Sequence, residues 1–336
     1  MIVRHRFGIG VAAALVAVAA LAAASVVYGS TVIPLADVTA SLARALGLAS
    51  GETGPIDRIV VDLRLPRAIL AIAVGAGLGV IGLLLQTVTR NDLADPFLFG
   101  LSAGAAAGAA AVITRIGDRI GVFTLPLAAF VGGMCATAVV LVLIRRTQGY
   151  GPERLILAGL AVSFLFTALT NYLVFSGDQR AAHSVLFWTM GGLGLASWRN
   201  IGIGLAGAAL VLGYALARHR HLDALLGGEE TAESLGVPVA RLRTATFLAA
   251  SFSTALLVSI AGVIGFIGLM IPHVARPLAG PLHGRLALTC ALFGAVLLLA
   301  SDLIARTLLP PQELPVGVVT SSIGALFVVS TLLRQR

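Results

Sequence analysis

The sequence contains no lysine, and this absence excludes one class of activity. All 23 basic residues among its 336 are arginine, against 15 acidic residues. The phosphate-binding loop of nucleotide hydrolases needs a lysine that reaches the β- and γ-phosphates. The chain therefore cannot hydrolyse ATP through such a loop, and we predict that it is not an enzyme and has no catalytic residue.

Charged residues of either sign are also scarce. They make up 11% of the chain, whereas 58% of its residues are hydrophobic, and soluble domains run nearer a quarter charged. Several uncharged runs exceed the ~20 residues that a helix needs to cross a bilayer. They do not alternate polar with apolar residues, as barrel strands would. The composition thus predicts an all-α, polytopic membrane protein, with the net charge of +8 lying in its loops rather than on a nucleic-acid surface.

Metal-ligating side chains are few and poorly placed. Cys135 and Cys290, the two cysteines, both lie inside apolar runs, where cysteine usually behaves as a small hydrophobe. His219 and His221 flank an arginine in a basic loop, as solvated loop residues would. We predict no metal site, no disulfide and no cofactor bound by this chain.

Ten segments are long and apolar enough to span a bilayer, in one transmembrane domain covering 1–336 with a cytoplasmic loop at 218–243. The predicted spans are 8–29, 67–86, 93–114, 121–144, 153–175, 199–217, 244–262, 265–281, 286–304 and 314–333. The first span follows a basic start and could instead be a cleaved signal peptide. The topology works best if it is retained.

The arginines orient these spans, because cytoplasmic loops are enriched in them. With ten spans and a cytoplasmic N-terminus, 14 arginines lie inside and 9 outside. The uncertain stretch is 244–275, which fits either one helix or two helices joined at 262–265. One helix would change the count to 11 inside and 12 outside. We therefore predict two helices here, ten spans in all and both termini in the cytoplasm.

Ionisable residues are almost absent from the predicted spans. Asp92, Asp95, Asp302 and Arg306 lie near span ends. Ion-driven transporters usually need carboxylates or ion sites near mid-membrane, so the energy for transport is predicted to come from another chain. An ion-coupled secondary transporter and a membrane enzyme or scaffold remain the alternatives from other classes.

Segment 222–237 gathers four acidic residues on a side where arginine otherwise dominates. The spacing of Glu230, Ala232, Glu233 and Leu235 predicts a short amphipathic helix that Gly236 ends. Such a segment is either an ordinary polar loop or a docking helix for a partner protein.

Six stretches, in order along 60–335, resemble the FecCD family of permeases. They are Arg64-Leu-Pro-Arg67, Leu85-Gln86 through Asp95-Pro96, Phe187-Trp-Thr-Met-Gly-Gly192, Gly228-Glu229 to Val237, Gly265-Phe-Ile-Gly-Leu-Met-Ile-Pro-His-Val-Ala-Arg276, and Asp302-Leu-Ile-Ala-Arg306 to Thr320. Asn91-Asp92 departs from the family's usual Asn-Pro, and His283-Gly284-Arg285 departs from its usual Asp-His-Arg.

The resemblance implies an ABC importer permease in the bacterial inner membrane. Its expected partners are a second permease copy or paralogue, two cytoplasmic ATPases that bind ATP and Mg, and a periplasmic substrate-binding protein. The expected cargo is an iron(III)-siderophore complex, with haem and cobalamin (vitamin B12) as alternatives. No nucleic-acid partner is expected.

The resemblance also suggests site residues. ATPase coupling is expected at Glu229, Glu230, Ala232, Leu235 and Gly236. The binding protein is expected to dock on Arg64, Arg67 and Arg306, unless these arginines instead snorkel to the membrane interface or pair with Asp62, Asp302 or Glu313. The translocation path is expected to include Leu85, Gln86 and Asn171.

Overall fold

The computed structural model describes residues 2–50, 52–146 and 152–334, and these contain helices and connections but no strand. The α-helices are α1 Ile2–Val27, α2 Leu35–Ala45, α3 Pro55–Asp57, α4 Leu65–Thr89, α5 Leu101–Ala111, α6 Thr124–Arg146, α7 Pro152–Phe175, α8 Gln179–Thr189, α9 Ile201–Ala224, α10 Glu229–Ser234, α11 Val239–Ala261, α12 Ile267–Ala279, α13 His283–Thr307 and α14 Val316–Arg334. A π-helical segment, Arg58–Arg64, joins α3 to α4.

Each of the ten predicted spans corresponds to one helix. Eight helices in the described segments are long and apolar enough to cross a membrane. The other two predicted spans coincide with shorter helices, Leu101–Ile116 and Ile267–Ala279. The all-helical, multi-pass class is confirmed. The total of ten crossings and the side on which the termini lie stay predictions, and residues 1, 335 and 336 lie outside the described residues.

Helix α4 lies at the centre of the bundle, in contact with α9, α11, α12 and α13. Nineteen of its 25 residues are buried. It runs antiparallel to α13, because Arg67 meets Asp302 at one end and Thr87 meets His283 at the other. We call the end at Arg67 the outer face and the end at Thr87 the inner face, following the predicted topology.

Glycine explains how closely these helices approach. A Cβ on Gly75 would lie 2.3 Å from the carbonyl oxygen of Gly294, and one on Gly82 would lie 1.9 Å from that of Gly268. Such small-residue contacts hold helices together in lipid, where no hydrophobic force drives them to associate. The Gly104–Gly132 contact joins α5 to α6 in the same way.

The uncertain stretch 244–275 forms two helices. Helix α11 ends at Ala261, Gly262 has φ +63°, and α12 begins only at Ile267. Gly268 packs against Gly82, which is nearer the inner end of α4 than the outer end. Helix α12 therefore starts partway through the bundle, and its 13 residues rise only ~20 Å. Non-helical backbone at this depth is tolerated where protein or a cavity surrounds it.

Candidate functional site

A cavity of about 700 Å³ lies beside this break in the helices. Its walls come from the connection before α5, the end of α8, the 263–269 region and the start of α14. The lining residues are Leu93, Asp95, Phe97, Leu98, Thr189, Met190, Val263, Gly265, Phe266, Leu269, Gly317, Val318, Ser321 and Ser322. The wall is mostly apolar, with small hydroxyl groups and a single carboxyl group.

Three sequence-distant segments meet by their backbones at this cavity. A Cβ on Gly191 would lie 2.3 Å from the carbonyl oxygen of Val263, and one on Gly317 would lie 2.0 Å from that of Met190. Both contacts therefore require glycine. The end of α8, the helix break and the start of α14 thus form one wall from stretches that the sequence analysis had singled out separately.

Phe266 adopts a backbone conformation that bulky residues rarely take. Its φ is +68°, in the left-handed region, where the backbone of a residue other than glycine is strained. A Cβ on Gly324 would lie 2.3 Å from the Phe266 side chain, so this side chain lies against the backbone of α14. The strained residue therefore links the helix break directly to α14 at the cavity.

Asp95 contributes the carboxyl group of the cavity wall. It is buried, and its Oδ1 accepts a hydrogen bond of 3.0 Å from the backbone nitrogen of Phe97. This is an N-cap for the short 3₁₀ turn Pro96–Phe99. Asp95, which the sequence places near the end of a predicted span, therefore holds the backbone of Phe97. Phe97 lines this cavity and also a second, smaller cavity.

The three predicted path residues fall in two environments. Asn171 lines a second cavity of about 430 Å³, which shares Phe97, Thr189 and Val263 with the first. Leu85 and Gln86 line neither cavity.

Leu85 and Gln86 are instead buried between helices. The amide of Gln86 donates to the carbonyl oxygens of Gly268 and Leu269, each at 3.2 Å, and accepts from Arg276 at 3.0 Å. Both carbonyl oxygens belong to the first turn of α12, so Gln86 ties the start of that helix to α4.

The predicted short helix in the 218–243 loop is present as α10. The helices on either side extend further into the loop than predicted, so only residues 225–238 lie between α9 and α11. Glu230 and Gly236 are exposed, and Leu235 is 68% exposed. These three residues form a free surface with one acidic and one large apolar side chain.

Two of the predicted coupling residues contact other helices of this chain. Ala232 is fully buried against the helices of the chain itself, so it anchors α10 and offers no surface to a partner. Glu229 accepts a hydrogen bond of 2.8 Å from Arg243, whose Nε donates to the carbonyl oxygen of Val88. Glu229 thereby fixes α10 to the inner ends of α11 and α4.

The three predicted docking arginines form a buried network at the outer face. Arg67 contacts Asp302 at 2.9 Å and Glu313 at 2.7 Å, and Arg306 contacts the other oxygen of Asp302 at 3.0 Å. The guanidinium of Arg64 donates to the carbonyl oxygens of Val26 and Val27 at 2.8 and 2.7 Å. These contacts join α1, α4 and α13. For Arg67 and Arg306 they match the pairing that the sequence left open as an alternative to docking, whereas Arg64 bonds backbone carbonyls.

Other outer-face arginines remain exposed, and they lie outside the stretches that resemble the family. Arg58 and Arg199 are exposed and form no ion pair within the described residues. The indole nitrogen of Trp198 donates to the carbonyl oxygen of Val61 at 2.9 Å. This bond brings the segment with Arg199 against the helical segment with Arg58. In the sequence, only the position of Arg58 and Arg199 at or near predicted outer loops indicated that they could be exposed on this face.

Among the residues that the structure describes, no group of three or more His, Cys, Asp or Glu side chains is arranged to hold a metal ion. The bundle of apolar helices around a mostly apolar cavity at a broken helix defines the class as a multi-pass membrane transport protein.

The chain belongs to the FecCD transport family, whose model matches residues 14–334. The Fe(3+) dicitrate transport system permease protein FecD of Escherichia coli is 38% identical over 278 residues, 83% of this chain and 86% of that protein. The hemin transport system permease protein HmuU of Yersinia pestis is 36% identical over 284 residues, 83% of this chain and 84% of that protein.

Two further comparisons extend this result. The cobalamin import system permease protein BtuC of Halobacterium salinarum is 38% identical over 308 residues, 90% of this chain and 80% of that protein. A solved inward-facing structure of a metal-chelate type ABC transporter has a TM-score of 0.83 and 28% identity, over 97% of this chain and 99% of that one. The chain is thus a permease subunit of the ABC importer type.

Proposed function

We propose that this permease moves an intact iron(III)-siderophore complex from a periplasmic binding protein to the cytoplasm across the bacterial inner membrane. The observation that carries the proposal is the mostly apolar cavity where the end of α8, the helix break and α14 meet. Its wall presents no metal-ligand cluster within the described segments. Such a wall suits a chelate that keeps its own iron ligands and must also be released.

Haem and cobalamin are the alternative cargoes within the same family. The three relatives named above carry the names of three different substrates, so the family does not select among them. In all three substrates the metal is carried by an organic ligand. We place the siderophore first because it is the commonest cargo of this family.

A deletion strain distinguishes these cargoes. Cells that lack the gene should fail to take up radiolabelled iron presented as a ferric siderophore, while uptake of cyanocobalamin and growth on haemin stay normal. Reintroducing the wild-type gene should restore iron uptake. Normal siderophore uptake combined with failed cobalamin or haemin use would reject the siderophore and retain the permease.

Energy is proposed to come from two cytoplasmic ATPases, which supply ATP and Mg binding and dock on α10. The free surface of α10 supports this role, because Glu230, Leu235 and Gly236 face away from the permease. A second permease copy or paralogue completes the pore. This chain itself is proposed to bind no cofactor and to catalyse no reaction.

Asp95 favours one competitor, an ion-coupled transporter. A buried carboxyl group on a cavity wall is a common feature of proton-driven carriers, although here it caps a turn. Membrane vesicles separate the two mechanisms. Uptake should require ATP and persist without an ion gradient, and Asp95→Asn, which keeps an oxygen for the cap, should not change the dependence on ATP. Uptake driven by a proton gradient alone would favour the carrier.

Docking of the binding protein on Arg64, Arg67 and Arg306 stays a prediction. The five charges of this network sum to +1, because three arginines face only Asp302 and Glu313, and Glu313 reaches the surface. Reversing these buried arginines would disturb the fold as well as any docking.

The exposed pair Arg58 and Arg199 offers a cleaner test of docking. Arg58→Glu with Arg199→Glu should lower iron uptake and weaken the salt-sensitive association of the binding protein. The matched control is Arg115→Glu with Arg119→Glu, two exposed arginines elsewhere on the same predicted face. Equal uptake in both double variants would remove Arg58 and Arg199 from the docking surface.

A further inference from the structure

A small groove opens between the inner ends of α9 and α11, away from the transport cavity. Its volume is about 200 Å³, and its walls include Tyr214, Arg218 and His221 from α9 and Arg241 and Ala245 from α11. Tyr214, Arg218 and His221 are spaced i, i+4 and i+7, so they lie on one face of α9. The hydroxyl of Tyr214 meets that of Thr246 at 2.8 Å and ties the two helices together beside the groove.

The groove carries positive charge that nothing in the described segments neutralises. Arg218 and Arg241 are both exposed, and neither forms an ion pair with another described residue. The Nδ1 atom of His221 is buried and has no hydrogen-bond partner in the part of the chain that the structure describes. Arg218 and Arg241 therefore line the groove from α9 and α11 respectively, and neither charge has an ionic partner among the described residues.

Apolar surface continues from this charged end along both helices. On α11, Arg241, Ala245 and Leu248 are all exposed at spacings of four and three residues. On α9, Leu210 is exposed one turn before Tyr214. The groove is thus basic at the inner face and hydrocarbon further into the bundle. A soluble anion would use the charged end alone, whereas a phospholipid would use both.

We propose that this groove binds one anionic phospholipid of the cytoplasmic leaflet. The lipid phosphate would lie between the guanidiniums of Arg218 and Arg241, and an acyl chain would follow the exposed apolar residues of α9 and α11. Basic pockets between transmembrane helices on the cytoplasmic side are a recognised way to hold acidic headgroups. The groove adjoins the connection that carries α10, so a bound lipid would brace the base of the docking helix.

Native mass spectrometry of the purified full-length chain tests this proposal, with phosphatidylglycerol and phosphatidylcholine of identical acyl chains as probes. Wild type should retain phosphatidylglycerol in preference to phosphatidylcholine. Arg218→Gln with Arg241→Gln should lower phosphatidylglycerol retention by about 30-fold, from the usual contribution of two basic residues near a charged leaflet. The matched control, Arg145→Gln with Arg146→Gln, removes two exposed arginines from the end of α6 and should not change retention.

A second variant tests the apolar half of the groove without changing its charge. Ala245→Trp fills the space next to Arg241 and should also reduce phosphatidylglycerol retention, with an unchanged thermal midpoint. Inorganic phosphate at millimolar concentration should not displace the lipid.

Three results would overturn the proposal. The first is equal lipid loss in the groove variant and the α6 control. The second is displacement of the lipid by inorganic phosphate, which would indicate a soluble anion site. The third is loss of ATPase association in the groove variant with unchanged lipid retention, which would assign these arginines to the protein partner.

Discussion

The two ends of α4 both carry arginine–carboxylate pairs, but water reaches these pairs very differently. At the outer end, the side chains of Asp302 and Arg306 are 0% and 3% exposed. At the inner end, Asp92 is 66% exposed and its partner Arg276 is 31% exposed. The outer charges are thus part of the packed core, whereas the inner charges sit at a wet surface.

This difference separates charges that hold the bundle from charges that are free to meet a partner. A buried pair loses its hydration, so removing one partner leaves an uncompensated charge that is costly. An exposed pair is screened and contributes little. We therefore expect variants at the outer end to change stability first and variants at the inner end to change function first. Four substitutions test this contrast, ordered by the expected loss of unfolding free energy.

The largest effect is expected from Asp302→Asn. It leaves Arg67 and Arg306 buried beside a neutral amide and should lower the free energy of unfolding by about 3–5 kcal/mol. Denaturant unfolding in detergent measures the change. The control is Asp62→Asn, which alters an exposed acid without an ion pair in the described residues. Similar losses in both variants would show that the outer network does not hold the helices.

Arg243→Gln should have the next largest effect, because the exposure of the Arg243–Glu229 pair lies between those of the outer and inner pairs. Its side chain is 8% exposed, whereas its partner Glu229 is 36% exposed. Losing the charged hydrogen bond to Glu229 and the bond to Val88 should cost about 2 kcal/mol. Arg220→Gln, at an exposed position on α9, is the control and should stay close to wild type. A wild-type unfolding curve for Arg243→Gln would contradict its anchoring role.

Asp92→Asn should have only a small effect on stability. The Asp92–Arg276 pair is short, at 2.9 Å, but both side chains reach solvent, so we expect about 0.5 kcal/mol. The difference from wild type should shrink further in high salt, because exposed charges are screened. If the free energy of unfolding fell by more than about 2 kcal/mol and the loss persisted in high salt, the pair would be behaving like a buried ion pair.

Glu230→Arg should leave the free energy of unfolding within about 0.5 kcal/mol of wild type while weakening coupling to the ATPase. Glu230 is exposed on α10 and makes no ion pair in the described segments. The reversed charge should weaken ATPase association and ATP-driven uptake, with normal membrane insertion. Glu153→Arg makes the same reversal at an exposed site at the start of α7 and should transport normally. Unchanged uptake in Glu230→Arg would remove α10 from the coupling surface.

The coupling loop shows what local sequence can and cannot predict. The spacing of its acidic and apolar residues correctly predicted α10, because helix formation and its end at Gly236 depend on neighbouring residues. The family resemblance grouped Ala232 and Glu229 with the surface residues of this loop. Their contacts with other helices depend on α9, α11 and Arg243, so a local pattern could not reveal them.

The arginines illustrate a limit set by sequence distance. Arg67 and its partner Asp302 are separated by 235 positions. The sequence offered both docking and pairing for these residues, and nothing nearby in the chain decided between them. The same limit applies to the cavity, whose walls come from four separate stretches of the chain.

The sequence alone determined that this chain is an all-helical membrane protein, because uncharged runs of that length can be stable only in hydrocarbon. It also predicted a break at 262–265, through the balance of arginines across the membrane, close to the 262–266 connection that the structure has. The tertiary structure decided which of these apolar helices is central. Both α4 and α7 are apolar enough to span a membrane. In an apolar 18-residue stretch of each helix, however, 83% of the α4 stretch is buried against 22% of the α7 stretch. In lipid, hydrophobicity does not distinguish a protein neighbour from an acyl chain, so only the close glycine contacts and long-range ion pairs place each helix.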